Sequence, residues 1–250
     1  MTVVWDDRVP RDGAAQMAID VALQRRAVRE GLAVLRLYRW SRDTVSFGAN
    51  EAADRHWSRA ALEASDVPCV RRPTGGRAVW HAADDLTYAW TGPVALLGGQ
   101  RPAYRTLHDR LATALGPLVD DVRLAPAPPR LPGLAAGACF DVPVGGEVLV
   151  AGHKVIGSAQ AVRDGALLQH GAIARRSHAA VLGEFATTPR PAPADAQHLA
   201  PSADALADAI GAAWLAAGAV VAPGELTAWA EAASVEHVPR FRDPAWTWRR

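Results

Sequence analysis

Apolar and polar positions change period several times along the chain. After Asp12-Gly13, the run AAQMAIDVALQRRAVREG puts Met17, Val21 and Val28 on one helical face, predicting a helix that ends near Gly31. From Val34 to Trp40 apolar residues and arginines come in near alternation, the period of a half-buried strand. TVSFG predicts a short strand, and WSRAALEA a helix around Trp57–Ala64. CVRRPTGGRAVWH is expected to form two strands joined by a glycine turn, with DDLTYAW as a third, and residues 101–116 to be helical.

The stretch LAPAPPRLPGLAAG (124–137) is rich in proline, alanine and glycine and predicts a surface loop delivering Cys139. Beyond it EVLV, HKVIGSAQAVR and ALLQHGAI are separated by Ala151-Gly152 and Asp164-Gly165, where tight turns belong. Asp-Gly is a strong two-residue hairpin signal, so residues 147–174 should form a three-stranded antiparallel meander. Alternation along its central strand puts Lys154, Ile156 and Ser158 on one face, and His153, Val155 and Gly157 on the other. Gln169-His170-Gly171 on the next strand can lie opposite part of the lysine's face. A second proline-rich loop (189–201) leads to helices at 202–217 and around 224–235. Strands and helices do not alternate as in a parallel nucleotide-binding fold, so the expected class is α+β.

Composition narrows the function. The 250 residues suit one domain, and a formal net charge of +1 gives no sign of bulk binding to nucleic acid or a membrane surface. The opening MTVVWDDRVPRDG lacks a signal peptide's apolar core, and no stretch approaches the roughly 20 apolar residues of a membrane span. The cytoplasm is the expected compartment, with a monomer as the default state. Among 27 basic residues Lys154 is the single lysine. Arginine replaces lysine where only charge is needed, but not where a compact amine with a movable pKa does chemistry. A lone lysine in an arginine-rich chain is therefore a candidate catalytic group, and chance is the competing reading.

Three constellations stand out. Arg71-Arg72-Pro73-Thr74-Gly75-Gly76-Arg77 combines glycines that let backbone N–H groups approach a ligand with arginines that favour an anion. On spacing alone, a basic hairpin with an ordinary glycine turn is the stronger reading. Cys139, in GACFDVP, is a possible nucleophile; Cys69, inside VPCVRR, reads as a small buried hydrophobe. Spacing leaves Cys139 undecided. Lys154 and His170 complete the set. The eight histidines show no metal-ligand spacing, and no metal is expected.

Taken together, RRPTGGRAVWH, ACFDVP, GHKVIGSAQ and LLQHGAI resemble one family, the lipoate–protein ligases and octanoyltransferases, from near Trp5 to the closing WTWRR. The resemblance implies a mixed, largely antiparallel central sheet flanked by helices, like that of biotin protein ligases. It also implies one catalytic domain over residues 1–250 with a short helical segment from about 202. The family lysine that contacts the acyl carbonyl falls on Lys154, so two independent lines meet there. Cys139, fifteen residues earlier, Gly75-Gly76-Arg77 and Leu86-Thr87-Tyr88 match the cysteine-type octanoyltransferase branch.

That branch implies Cys139 and Lys154 as catalytic residues. It implies substrate contacts from Arg72, Thr74, Gly75, Gly76, Arg77, His81, Gly157, Ser158, Ala159, Gln169, His170 and Gly171, with Ala78 helping to form a narrow apolar slot. The arginines near 71–77 would meet phosphopantetheine or acidic carrier surfaces. The implied donor is octanoyl–acyl carrier protein and the acceptor a lipoyl domain or glycine-cleavage H protein. No cofactor is required on this reading. Three alternatives stay open: a ligase using ATP and Mg, with Cys139 structural; an amidotransferase between carrier domains; and a non-catalytic carrier-binding module. Ala82 stands where the family usually has Asp, Gly145-Gly146 where an aromatic pair is common, and Asn50-Glu51 near a usual Gln.

Overall fold

The fold is taken from a computed structural model, which describes residues 1–126, 145–188 and 199–249. Cys139, most of the loop before it and the proline-rich residues 189–198 lie outside the described residues. The chain opens with strand β1 (Thr2–Arg11), which the sequence reading left unassigned. Helix α1 (Gly13–Glu30) follows, its start fixed by the Asp12 side chain accepting from the Ala15 N–H and its end by Gly31 in the left-handed region. Met17 is buried as expected, but Val28 is 47% exposed. The buried face instead runs through Ala18, Ile19, Ala22, Leu23 and Ala27.

Strand β2 (Ala33–Trp40) corrects the half-buried expectation, because every residue in it is buried. It lies between β1 and a later strand, and its Arg36 is fully buried. The alternating arginine therefore marks an internal ion pair and not a solvent face. Next come β3 (Thr44–Phe47) and the short helices α2 (Ala53–His56) and α3 (Arg59–Ala64), the latter capped by Ser58. Trp57, expected inside one helix, sits in extended backbone between the two.

Strands β4 (Cys69–Arg71) and β5 (Val79–His81) are not a hairpin. Both pair with β3, which separates them in a three-stranded sheet of order β4-β3-β5. Residues 72–78 thus cross from one edge of this sheet to the other. Strand β6 (Leu86–Pro93), the expected third strand, joins the larger sheet instead.

Helix α4 (Gln100–Leu115) is followed by β7 (Val122–Leu124), β8 (Val148–Val150), β9 (His153–Arg163) and β10 (Ala166–Ile173). The last three form the expected antiparallel meander, with Ala151-Gly152 and Asp164-Gly165 at positive φ in both turns. The chain ends with α5 (Ala179–Gly183), α6 (Ala203–Ala216), β11 (Val220–Val221), α7 (Gly224–Ser234), α8 (Val238–Arg242) and α9 (Pro244–Thr247). Among the described residues no helix is long and apolar enough to cross a membrane.

The large sheet runs β11-β1-β2-β6-β10-β9-β8-β7, parallel where β1 meets β11 and β2 and antiparallel elsewhere. Alternate residues serve two layers. Leu35, Leu37, Tyr88, Trp90 and Leu167 pack under α4 and α6, while Tyr38, Ala89 and Leu168 pack under α1 and α8. The small sheet has its own core of Val45, Phe47, Trp57, Ala78 and Trp80. A cleft between the two sheets is the consequence that matters.

Candidate active site

The cleft is a narrow slot lined from both sheets. Its floor is Gly157, Ser158 and Ala159 of β9 with His170, Gly171 and Ala172 of β10; Met17, Tyr38 and Trp40 close one side. Arg72, Gly76, Val79 and His81 cover it from the small sheet. The lining is mostly apolar, so the slot suits an elongated hydrocarbon guest with few polar contacts.

Loop 72–77 is stapled by its own arginines. Arg72 donates to Ser46 O and Oγ, both at 2.6 Å, and to the carbonyls of Gly75 and Arg77. Arg71 is fully buried and donates to the carbonyls of Gly48, Glu51, Trp246, Thr247 and Arg249. It ties the loop to the C-terminal helices, so the expectation that the arginines here meet a carrier fails for Arg71. Arg77 is buried, with Nη1 lacking a hydrogen-bond partner among the described residues. Ala78, expected in the slot, belongs to the core of the small sheet. Gly75 has open space where a Cβ would stand; Gly48, unforeseen, would place one 1.9 Å from Gly76 O. Close backbone approach therefore demands glycine at 48.

Thr74 is held by a relay. Thr74 Oγ1 lies 2.6 Å from His170 Nε2, and His170 Nδ1 lies 3.0 Å from Asp20 Oδ2. Asp20 in turn accepts from Arg36 and from the Tyr38 hydroxyl. His81 Nε2 is 2.7 Å from Ser46 Oγ, the ring stacks on Trp40 at 4.1 Å, and its buried Nδ1 has no hydrogen-bond partner among the described residues. Burial, with Arg72 next in weight, holds the His81 pKa well below the ordinary value, so the ring is neutral near pH 7.

Lys154 lies three residues before Gly157 on β9, roughly 10 Å along the strand. It is buried, and Nζ is 2.7 Å from Glu147 Oε1, with both side chains 2% exposed. The ladder with β8 slips by one residue beside it, between Val148 and Leu149, which interrupts the alternation used to assign its face. His170 pairs across the ladder with Ala159 and lines the slot, whereas Gln169, paired with Gln160, contacts Tyr88 from the α4 side. Burial raises the Cys69 thiol to about 12, which makes it inert as a nucleophile.

Three participants escaped the sequence reading. Glu147 follows Gly145-Gly146 with no motif to mark it. Asp20 could have been found, as a carboxylate on the apolar face of α1 opposite a strand of alternating arginines. His108 sits on α4 with Nδ1 2.6 Å from Gly146 O and Nε2 2.7 Å from Ser158 Oγ. Burial, aided by the positive Lys154, pulls its pKa to about 4. The folded state therefore binds a proton less readily than the unfolded chain, so stability falls as pH drops from about 6.5 toward 4. The loss should reach about 3 kcal/mol from His108, with His81 acting in the same direction. Urea unfolding at pH 7 and pH 4.5 checks this: His108→Gln should show a smaller difference between the two than wild type.

A small sheet folded against a mixed sheet encloses an apolar slot, and the strand that floors the slot also carries a buried lysine. Residues 12–205 match the lipoyl protein ligase A/B catalytic domain, and the chain belongs to that family. Over 171 residues it is 40% identical to the octanoyltransferase LipM of Carboxydothermus hydrogenoformans, covering 67% of this chain and 62% of that protein. The chain thus spans about three fifths of that relative's length. Two Thermoplasma acidophilum structures share the fold. One is a candidate lipoate protein ligase with lipoic acid bound (TM-score 0.76, 20% identity, 99% of both chains). The other is a bipartite lipoate protein ligase studied with its E2 lipoyl domain (TM-score 0.71, 19% identity, 99% of this chain and 96% of that one).

Proposed function

We propose that this protein is an octanoyltransferase that moves an octanoyl group from acyl carrier protein, through a thioester on Cys139, to a lysine of a lipoyl domain or glycine-cleavage H protein. The observation that carries the reading is Lys154, the chain's single lysine, buried against Glu147 on the strand that floors an apolar slot. The similarity to an octanoyltransferase supports the reaction class, and the lipoyl domain studied with a ligase of this fold supports the acceptor class.

In this mechanism the octanoyl chain lies in the slot between Gly76 and the Gly157–Ala159 floor. The Cys139 thiolate attacks the donor's thioester carbonyl, forming a new thioester and releasing the carrier's pantetheine thiol. The acceptor amine then attacks, the amide forms, the Cys139 thiolate departs, and the amine gives up a proton. Covalent catalysis splits one difficult step into two. The Lys154 ammonium faces the carbonyl oxygen as negative charge develops there, and the neutral imidazole of His81 and the ring of His170 border the chain. Thioester exchange is nearly isoenergetic and amide formation runs downhill, so neither a cofactor nor ATP is consumed.

The test mixes purified protein, octanoyl–acyl carrier protein and unmodified lipoyl domain without ATP, and follows the domain by mass spectrometry. Octanoylation of its lysine is the expected result. Modification that requires free acid, ATP and magnesium, with release of AMP, would make the protein a ligase and overturn the proposal.

A further inference from the structure

A chain of hydrogen-bonded side chains runs from Gln160 on β9 to His108 on α4. Gln160 Nε2 donates to Gln100 O at 3.0 Å and to Gln169 Oε1 at 2.7 Å. Gln169 Nε2 donates to the Tyr88 oxygen at 2.7 Å. Tyr88 Oη and Ser158 Oγ are 2.7 Å apart, as are Ser158 Oγ and His108 Nε2, and His108 Nδ1 ends the chain 2.6 Å from Gly146 O.

Carbonyls at the two ends fix every proton between them, because a carbonyl only accepts. Starting from Gln100 O, Gln160 must present its NH2, so Gln169 turns its oxygen toward it and its NH2 toward Tyr88. The Tyr88 oxygen accepts, leaving its O–H for Ser158, whose own proton is left for His108 Nε2. Starting from Gly146 O, His108 must carry its proton on Nδ1. With the Ser158 proton donated to His108 Nε2, the two directions agree on a neutral His108 in the Nδ1–H tautomer. Burial independently favours the neutral ring.

We infer that His108 is a positioning residue for Lys154: the oriented chain clamps Gly146, whose neighbour Glu147 holds the lysine's ammonium. Gly146 has φ +87° and takes up the clamp at a backbone setting that favours glycine. Ser158, the other arm of the clamp, stands on the same strand as Lys154. Gly171 makes room for it, since a Cβ there would come within 2.2 Å of Ser158 Oγ. The ring of Tyr104 rests on His108, 4.3 Å between centroids. The functional consequence rests on the role proposed for Lys154, but the geometry can be read without activity.

The experiment uses full-length protein labelled with 15N-histidine and 13C-lysine. Lys154 is the chain's single lysine, so its 13Cε signal needs no assignment. The His108 signals, identified by their loss in His108→Gln, should show a protonated Nδ1 and an accepting Nε2 at neutral pH. His108→Phe should shift or broaden the Lys154 signal. His108→Asn, whose amide N–H stands near the Nδ1 position, should restore it. In acyl transfer, His108→Phe should lower kcat on the order of 10- to 100-fold with KM for the carrier little changed, and His108→Asn should recover most of the loss.

An Nε2–H tautomer or an imidazolium at His108, or an unmoved Lys154 signal in folded His108→Phe, would overturn the inference. If His108→Phe does not fold, Ser158→Ala interrogates the same chain. It should release the fixed tautomer, and no change in either signal would be equally fatal. Wild type that transfers no acyl group while the spectra behave as expected would remove the proposed reaction and leave the positioning role standing.

Discussion

Lys154→Met is expected to lower the rate of octanoyl transfer on the order of 100- to 1000-fold, the usual effect of losing a donor to a developing oxyanion. Lys154→Arg should recover little, because a planar guanidinium cannot occupy the compact ammonium's place beside Glu147. The single substitution also leaves the Glu147 carboxylate buried without that counter-charge, which typically costs 3–5 kcal/mol, roughly. Stability and catalysis can be separated by the double variant Lys154→Met/Glu147→Gln. It should regain much of the wild-type resistance to urea and none of the activity. If the double variant regained both, the lysine would be structural and its place in the mechanism would be lost.

Arg36→Ala should be the most destabilising substitution outside the slot. The guanidinium is fully buried on the central strand β2, donating to Asp7 Oδ2 at 2.7 and 2.9 Å and to Asp20 Oδ1 at 3.0 Å. It also donates to Gln16 and stacks over the Tyr38 ring, 4.3 Å from its centroid. Removing it breaks two buried ion pairs, leaving Asp7 with Arg11 and Asp20 with Tyr38 and His170, a change worth about 3–5 kcal/mol. For a chain of this size that lowers Tm by roughly 6–20 °C, readable by calorimetry. Asp20 also holds His170, which holds Thr74 in the loop over the slot, so residual activity should fall further than the unfolded fraction explains. Arg36→Lys should not rescue, because a single ammonium cannot bridge both carboxylates as the fork does. A Tm within a degree or two of wild type would contradict this account of the core.

Local patterns in the chain reported the local structure well. Asp12 and Gly31 delimit α1 by capping chemistry, and Ala151-Gly152 and Asp164-Gly165 mark the meander turns through their positive φ. What failed was partner choice, which depends on residues far apart in sequence. Strands β4 and β5 were read as a hairpin because they are neighbours in the chain, yet β3 lies between them. The arginines of β2 were read as facing solvent because arginine is rarely buried. The carboxylates that admit Arg36 come from β1 and α1, and no single-strand pattern shows them. Composition singled out Lys154, the residue pattern brought the glycine loop and His170 to notice, and the family resemblance added His81. The slot between the sheets gathers His81, His170, Gly76 and the Gly157–Ala159 floor. Arg71, Ala78 and Gln169 serve the scaffold around it. His108 and Glu147 carried no signal, since one histidine on a helix and one glutamate after two glycines are common anywhere.

The central claim is the covalent route through Cys139, and intact-protein mass spectrometry tests it most directly. Wild type and Cys139→Ala are each incubated with octanoyl–acyl carrier protein in the absence of ATP. The account predicts a single octanoyl adduct on wild type, removed by hydroxylamine and missing from Cys139→Ala. An unmodified wild type, or an adduct that persists in Cys139→Ala, would contradict it.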